Sequence, residues 1–393
     1  MYNHFPHVII MKLNLPDADA FLIVSESMHN ADMYYATGFL ANDSFIYFNS
    51  RNEKLIVSDM ELGRAKKESR VKEVLPASKF NLMDKLRKHK DADAAYCEII
   101  IEFLRSENIN RVAVPYNFPV QPADCMRNAG LDVIPVKSPF HEMREVKKEN
   151  EVKAIEKAQR AGERALFECM SVLKNASIKN GVLWQENAPL KAEDVRAVIE
   201  RSLLSLGCEA PDIIIACGKG SSDPHWQGEG ELLADEPIVI DMVPRSKKER
   251  YYSDMTRTVM HGEPAEELKN MYSAVLESQA AAIQKIKAGV AGSEIHDIVC
   301  DLLEERGYET ARGRSGEFTE GFIHSTGHGV GLDIHEAPSL SENGKELKAG
   351  SAVTVEPGLY YRKTGGVRLE DVVVVTKSGC KNLTMFEKNL VLR

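Results

Sequence analysis

Long hydrophobic runs are missing from this sequence of 393 residues. None approaches the ~18 consecutive apolar residues that a membrane-spanning helix requires. A basic stretch followed by an apolar core is also missing from Met1–Leu15, which argues against a secretory signal. Met11 is an alternative start, and it would leave the first ten residues as a leader without structural weight. Cysteine is sparse. The seven, at 97, 125, 169, 208, 217, 300 and 380, are odd in number, and no pair has Cys-x-x-Cys spacing. That argues against a disulfide framework or zinc ribbon and points to unpaired, mostly buried thiols in a reducing, cytoplasmic setting. With 26 glycines and 16 prolines, a fibrous or low-complexity chain is excluded. An excess of positive charge is absent too: 50 Lys+Arg against 59 Asp+Glu leave a net charge of −9. A dedicated nucleic-acid binder needs the opposite. What is present is ordinary for a globular protein, 43% hydrophobic and 28% charged, in a length that suits two or three domains, or one small and one large.

The first 140 or so residues read as a mixed α/β unit. Strand patterns fall at Ala20–Val24, Ser44–Asn49, Lys54–Ser58, Arg111–Pro115 and Leu131–Val136, and a helix pattern at Ala95–Arg105. Pro135 and Pro139 punctuate the chain, since proline continues neither a ladder nor a helix interior. The boundary is expected near Ser138–Arg144, dividing the chain into 1–142 and 143–393. A long helix is predicted over Lys148–Leu173 and a second over Ala192–Leu206, the latter with Val195, Val198, Ile199, Leu203 and Leu206 on one face. Strand patterns follow at Asp212–Cys217, Pro237–Val243 and Tyr251–Met260. The order then repeats: a helix over Ala265–Ile286, another capped by Ser293 and stopped at Gly307, then strand patterns at Phe322–Ile323, Ala352–Glu356 and Gly366–Thr376.

Both halves of this repeat place carboxylates at matching points. Asp241 ends the apolar run Pro-Ile-Val-Ile-Asp, and Asp254 sits in Tyr-Ser-Asp-Met-Thr-Arg-Thr. Glu356 ends Ala-Val-Thr-Val-Glu, and Glu370 sits in Gly-Val-Arg-Leu-Glu-Asp. Glu356 lies 115 residues after Asp241, and Glu370 lies 116 after Asp254. Near-equal offsets suggest a pseudo-twofold that brings all four together. Four converging carboxylates in apolar strands cannot all stay ionised without cations, and two divalent ions would satisfy them. Between the second pair of helices and Glu356, the segment 321–338 holds His324, His328 and His335 among four glycines. Glycine lets the backbone approach a metal or substrate closely. One histidine is a natural fifth ligand, and the others suit proton transfer or holding a substrate oxygen. Taken singly, each residue fits a salt bridge or a packed core as readily as a site. Together, in this order, they are hard to reach by chance.

These segments carry a specific resemblance. From about Arg144 to Arg393 the chain closely resembles the catalytic domain of the pita-bread metallopeptidases, a family of methionine aminopeptidases, Xaa-Pro aminopeptidases, Xaa-Pro dipeptidases (prolidases) and the metal-free creatinases. The matching pieces are Ile-Asp at 240–241, Ser-Asp-Met-Thr-Arg-Thr at 253–258, His-Ser-Thr-Gly-His-Gly-Val-Gly-Leu-Asp-Ile-His-Glu at 324–336, Val-Glu-Pro-Gly-Leu-Tyr at 355–360 and Gly-Val-Arg-Leu-Glu-Asp at 366–371. Met33-Tyr-Tyr-Ala-Thr-Gly-Phe39 and Met143-Arg-Glu-Val-Lys147 resemble the creatinase/prolidase N-terminal domain and the start of the catalytic helix. That domain is absent from plain type I methionine aminopeptidases, so the likeness is to the Xaa-Pro branch. The resemblance implies an α/β (α+β) chain: a small N-terminal α/β domain, then a pita-bread domain of helix pairs and curved antiparallel sheet.

By the same resemblance, Asp241, Asp254, His328, Glu356 and Glu370 are five ligands to two divalent ions, with Asp254 and Glu370 bridging. Mn²⁺ or Co²⁺ suits such a set best, and Zn²⁺ or Fe²⁺ also fits. A water shared by two ions loses a proton near neutral pH and attacks the scissile carbonyl. The resemblance gives Glu356 the nucleophile's proton and His225 the tetrahedral intermediate. His335 then contacts the scissile bond, and His324 and Arg368 stand near the proline side. The substrates implied are short proline-containing peptides, and a homodimer is implied as well, with no nucleic-acid or membrane partner. A metal-dependent non-peptidase, a C–N hydrolase or lyase on this fold, is the alternative, because fold does not fix function. A non-catalytic binding module ranks last, since such relatives lose ligands. One departure concerns spacing: Asp241 and Asp254 are 13 residues apart where the family usually has 11. The extra length includes Arg245–Arg250, read as a solvated hairpin tip. Trp226, beside His225, either lines the pocket or packs.

Overall fold

The computed structural model describes residues 11, 13–15 and 17–392. The proposed leader before Met11 lies outside the described residues. The chain separates into two compact units, Met1–Met143 and Arg144–Arg393.

The first unit is built on a six-stranded sheet. Its strands are β1 (Ala20–Ser25), β2 (Phe45–Asn49), β3 (Glu53–Val57), β4 (Glu73–Pro76), β5 (Arg111–Pro115) and β6 (Asp132–Val136), in the order β4-β3-β2-β1-β5-β6. Alternate residues of the central strands feed two cores, Leu22, Ile46, Phe48 and Val112 on one face and Phe21, Ile23, Tyr47 and Ala113 on the other. Burial on both faces explains why these strands read as continuous apolar runs. Pro135 sits inside β6 without breaking the ladder, because β6 is an edge strand. Helices α1 (Ala31–Thr37), α2 (Leu62–Glu68), α3 (Leu82–His89), α4 (Ala92–Ser106) and α5 (Val120–Asn128) connect the strands. Asp91 caps α4 by accepting from Ala94 N. Helices α1, α2 and α3 escaped the sequence reading because each spans barely two turns. Helix α6 (Pro139–Glu145) starts at Pro139, where a missing N–H costs nothing.

The second unit carries the repeat. Helices α7 (Glu149–Asn175) and α8 (Ala192–Ser205) lead into β11 (Ile213–Cys217), β12 (Ile238–Met242) and β14 (Met255–Val259), an antiparallel sheet in the order β11-β12-β14. A three-stranded hairpin, β7 (Ser177–Lys179), β8 (Val182–Gln185) and β9 (Ala188–Pro189), lies between the helices. Helices α9 (Glu266–Lys285) and α10 (Gly292–Glu305) lead into β15 (Gly327–Gly329), β16 (Glu336–Leu340), β17 (Ala352–Val355), β20 (Asp371–Val375) and β21 (Cys380–Asn382), antiparallel in the order β16-β15-β17-β20-β21. Strands β18 (Gly358–Tyr361) and β19 (Gly365–Arg368) form a separate hairpin. Each helix pair buries one apolar stripe against the sheet of its own half: Ala165, Leu166, Cys169, Val195 and Ile199 in the first, Leu268, Met271, Val275, Ile295 and Val299 in the second. No cysteine among the described residues is paired, and four of the seven are buried.

Several expectations are corrected. Ser293 is not the cap of α10. The helix begins at Gly292, with Glu294 reaching back to accept from Ala291 N at 3.2 Å. Leu206 lies past the end of α8 and is exposed. Phe322–Ile323 is no strand. Gly321 and Phe322 make only isolated bridges, to Tyr360 and Thr310. Gly366–Thr376 is two strands, broken where the chain exchanges partners: Leu369 N turns to Pro357 O and Glu370 N to Thr256 O. The run Arg245–Arg250 is not a solvated tip. Arg245 and Ser246 form β13, paired with β10 (Cys208–Glu209). Arg245 Nη2 meets Glu209 Oε1 at 2.5 Å, Arg250 is buried, and only Lys247 and Lys248 of the six stand exposed. Glu209, too distant in sequence to be noticed, pairs with both arginines of the run.

Candidate metal centre and active site

Antiparallel pairing places the first two carboxylates. Asp241, in β12, lies opposite Thr256 in β14, and Asp254 immediately precedes β14. The chain between them contains β13 and its turn, and Ser253 N closes the loop onto Pro244 O at 2.8 Å. The break between β19 and β20 aims Glu370 at the same spot, with its Oε2 accepting from Thr256 Oγ1 at 2.7 Å. Glu356 follows β17, and its N–H donates to Thr326 O at 2.8 Å. His328 lies in β15. Its N–H donates to Thr354 Oγ1 at 3.0 Å, and its Nδ1 faces Gly329 O at 3.1 Å, which turns Nε2 toward Glu356 Oε1 at 3.2 Å and Asp254 Oδ2 at 3.7 Å. Gly327 is obligatory here, since a Cβ would stand 2.1 Å from Thr354 O. Asp254, His328 and Glu370 each offer a ligand atom within 4.8 Å of the others.

The electrostatics are those of crowded, buried carboxylates. Burial pushes the Asp254 carboxyl well above its ordinary range, and the charges of Glu370, Asp241 and Glu356 push it further. Burial does the same to Glu370, with Glu356 and Asp241 adding repulsion. Burial also opposes the charge on Glu356, but the hydrogen bond and charge of His328 prevail and bring its carboxyl down to about 2. Burial works against the charged His328 imidazole, yet Glu356 raises it to about 9. Asp241 Oδ1 and Glu370 Oε1 are buried with no hydrogen-bond partner among the described residues. Orphaned carboxylate oxygens beside an imidazole fit hard divalent cations well.

The other sequence-selected residues surround this cluster. Arg368, buried at the end of β19, donates from Nη2 to Asp241 Oδ2 at 2.6 Å and from Nη1 to Tyr360 Oη at 2.8 Å. His324 Nε2 meets the same Tyr360 oxygen at 3.0 Å. Burial holds the His324 imidazole below its usual range. The His335 ring stands edge-on to His328, centroids 4.3 Å apart. His225 is exposed on a loop whose Pro224 O accepts from Arg368 Nη1 at 3.4 Å. Trp226 packs: it lies against Ile214, Ala216 and Val239, and its ring occupies the space where a Cβ of Gly220 would stand. Sequence reasoning missed Tyr360, although its segment had been singled out, because a lone tyrosine gives no sign of a buried hydroxyl. Burial pushes that phenol to about 12, so it stays neutral. Thr256 and Thr354, which hold Glu370 and Glu356, were likewise silent.

Glu336 anchors the turn that carries His335. It is buried between Lys147, whose Nζ lies 2.5 Å from Oε1, and Arg144, which also meets Asp333 at 2.6 Å. Burial opposes its charge, but the two cations hold its carboxyl below the usual 4.5. A carboxyl depressed by folding adds stability above its unfolded pKa and loses it as pH falls through the folded value. Wild-type protein is therefore expected to exceed Glu336→Gln in urea midpoint by a constant margin above about pH 5, a margin that shrinks below about pH 4.5. A margin independent of pH down to pH 3 would refute this.

Such a cluster of oxygen ligands and one imidazole is the setting of a divalent-metal enzyme. Residues 153–377 match the model of metallopeptidase family M24, and residues 11–146 that of the creatinase/prolidase N-terminal domain. The chain is 32% identical over 390 residues to the Xaa-Pro dipeptidase of Pyrococcus horikoshii, covering 98% of this chain and 97% of that protein. The crystal structure of the prolidase from Pyrococcus horikoshii OT3 aligns with a TM-score of 0.77 at 29% identity, covering 95% of each chain. That of the X-Pro aminopeptidase from Thermotoga maritima MSB8 aligns with a TM-score of 0.78 at 28% identity, covering 95% of this chain and 97% of that one. The chain belongs to metallopeptidase family M24. Its fold is the pita-bread fold preceded by a creatinase-like N-terminal domain, and its chemistry is that of a peptidase dependent on divalent metal ions. No helix among the described residues is long and apolar enough to cross a membrane.

Proposed function

We propose that this protein removes the N-terminal residue from Xaa-Pro peptides at a dinuclear centre whose ligands are Asp241, Asp254, His328, Glu356 and Glu370. The observation that carries the reading is the buried carboxylate cluster with two orphaned oxygens. The full-length likeness to an Xaa-Pro dipeptidase supports the substrate class. Bound divalent ions, Mn²⁺ or Co²⁺ in the first instance, supply an acidified water and polarisation of a carbonyl oxygen.

The protein's own residues do the rest. Glu356, held ionised beside His328, takes the proton of the attacking water. The imide nitrogen that leaves has no proton of its own, so one must be returned to it, and Glu356 is the carrier. His225, exposed at the rim, and His335, edge-on to His328, stabilise the developing oxyanion and hold the peptide at its scissile bond. His324 and Arg368, joined through Tyr360, shape the proline side, and Arg368 also keeps Asp241 turned into the cluster. The unpaired cysteines support a cytoplasmic setting, and the same reading implies a homodimer.

Metal-stripped protein incubated with Xaa-Pro dipeptides and Xaa-Pro-Xaa tripeptides is expected to release the N-terminal residue only when Mn²⁺ or Co²⁺ is restored. The preferred length separates a dipeptidase from an aminopeptidase. Two bound ions with no cleavage of either length would refute the Xaa-Pro reading in favour of a non-peptidase hydrolase or lyase.

A further inference from the structure

Two glutamines outside the proposed ligand set are fully buried, Gln159 on α7 and Gln279 on α9. Gln279 Nε2 donates to Val355 O at 2.8 Å and to Leu369 O at 3.0 Å. Val355 and Leu369 immediately precede Glu356 and Glu370. Both amide protons are thus spent on carbonyls from separate segments, the end of β17 and the break between β19 and β20, which ties the starting points of two carboxylate side chains to one planar group. The other end of the amide, Oε1, is buried with no hydrogen-bond partner among the described residues. A leucine or methionine would fill this place without burying an orphaned oxygen. The polar side chain therefore answers to the two carbonyls and not to packing.

Gln159 lies on the first helix of the first half as Gln279 lies on the first helix of the second, 120 residues earlier. Its Oε1 accepts from Ser253 Oγ, and its Nε2 donates to Met255 Sδ at 3.5 Å. Ser253 and Met255 flank Asp254. A thioether is a weak acceptor, so this hold is the lighter of the two.

We propose that Gln279 and Gln159 are positioning residues that set the spacing of the metal carboxylates. The first helix of each half delivers one buried amide beside that half's ligands, Gln279 to two backbone carbonyls and Gln159 to the side chains of Ser253 and Met255, and Gln279 carries the larger share. The proposal rests on the ligand assignment made above. Neither amide bonds to a carboxylate; Gln279 acts through the main chain and Gln159 through the side chains of the two residues that flank Asp254.

The test uses full-length protein, titrated with Mn²⁺ against a competing chelator, together with the visible spectrum of the Co²⁺-loaded form and thermal unfolding of the metal-free form. Gln279→Met is expected to weaken Mn²⁺ binding about 10–100-fold and to shift the Co²⁺ bands, as loss of a group supporting metal ligands does. Gln159→Met is expected to move both in the same direction by less. Ser278→Ala is the control for general damage to α9, because that buried hydroxyl donates to Val275 O within its own helix. It is expected to change thermal stability alone. Gln279→Glu keeps the volume with at most one donor and is expected to fall between wild type and Gln279→Met; it serves in place of the methionine variant if that does not fold. Unchanged Mn²⁺ affinity and an unchanged Co²⁺ spectrum in the Gln279 variants would overturn the proposal. Glu370→Gln distinguishes the other failure. If it binds Mn²⁺ as wild type does, the ligand assignment is wrong, and the positioning proposal falls with it.

Discussion

Replacing Glu370 by glutamine is expected to lower Xaa-Pro cleavage by about 10³-fold or more while leaving the protein folded. The amide keeps the carboxylate's size, and its oxygen still accepts from Thr256 Oγ1, which lies 2.7 Å from Glu370 Oε2. What it loses is the negative charge and the orphaned Oε1. Burial and the charges of Glu356 and Asp241 already oppose ionisation of Glu370 in the absence of cations. Removing that charge therefore relieves repulsion in the metal-free protein. Metal-free Glu370→Gln should melt no lower than metal-free wild type, and metal-loaded wild type should melt above both. Elemental analysis, turnover and paired thermal melts check the three parts. Activity within tenfold of wild type would show that Glu370 is no ligand.

The largest loss of stability is expected from Arg257→Met. Arg257, in β14, and Asp371, the first residue of β20, are both about 1% exposed and paired at 3.0 Å. The same guanidinium donates to the carbonyls of Thr256, Glu370, Phe386 and Glu387 at 2.7–3.1 Å. It thereby joins a strand of each half to the C-terminal segment. Breaking a buried pair from one side strands the other charge and costs about 3–5 kcal/mol. Lys388, 2.6 Å from Asp371, and Asn382, at 2.7 Å, temper that cost, so the lower part of the range is expected in urea unfolding. Adding Asp371→Leu to Arg257→Met should recover part of the loss, because no buried anion then remains. A cost below about 1 kcal/mol for the single variant, or no recovery in the double, would contradict this account.

Much of the site was legible in the sequence because its chemistry is local. Asp241, Asp254, Glu356 and Glu370 each end or flank an apolar strand, and an unpaired carboxylate in such a place calls for a cation. The glycine-rich segment drew attention to His324, His328 and His335 for an equally local reason. The long helices were legible as well, because α7 and α9 keep one apolar stripe over five or more turns. What stayed hidden depended on partners distant in the chain. Arg245–Arg250 reads as a solvated run until Glu209 is set beside it. Tyr360 reads as one tyrosine among twelve until Arg368 and His324 converge on its oxygen. Gln279 reads as a polar interruption of a helix stripe until Val355 and Leu369 present their carbonyls to it.

The sequence by itself determined the identity of the charged groups, the two-fold recurrence of their surroundings and the periodicity of the helices that carry them. The tertiary structure alone decided that these groups meet. Antiparallel pairing sets Asp241 opposite Thr256, whatever the length of the loop between β12 and β14. The exchange of partners at Leu369–Glu370 turns Glu370 onto that same threonine. Convergence of this kind is a property of long-range register, and a one-residue slip in any of these strands would point a candidate ligand to the opposite face.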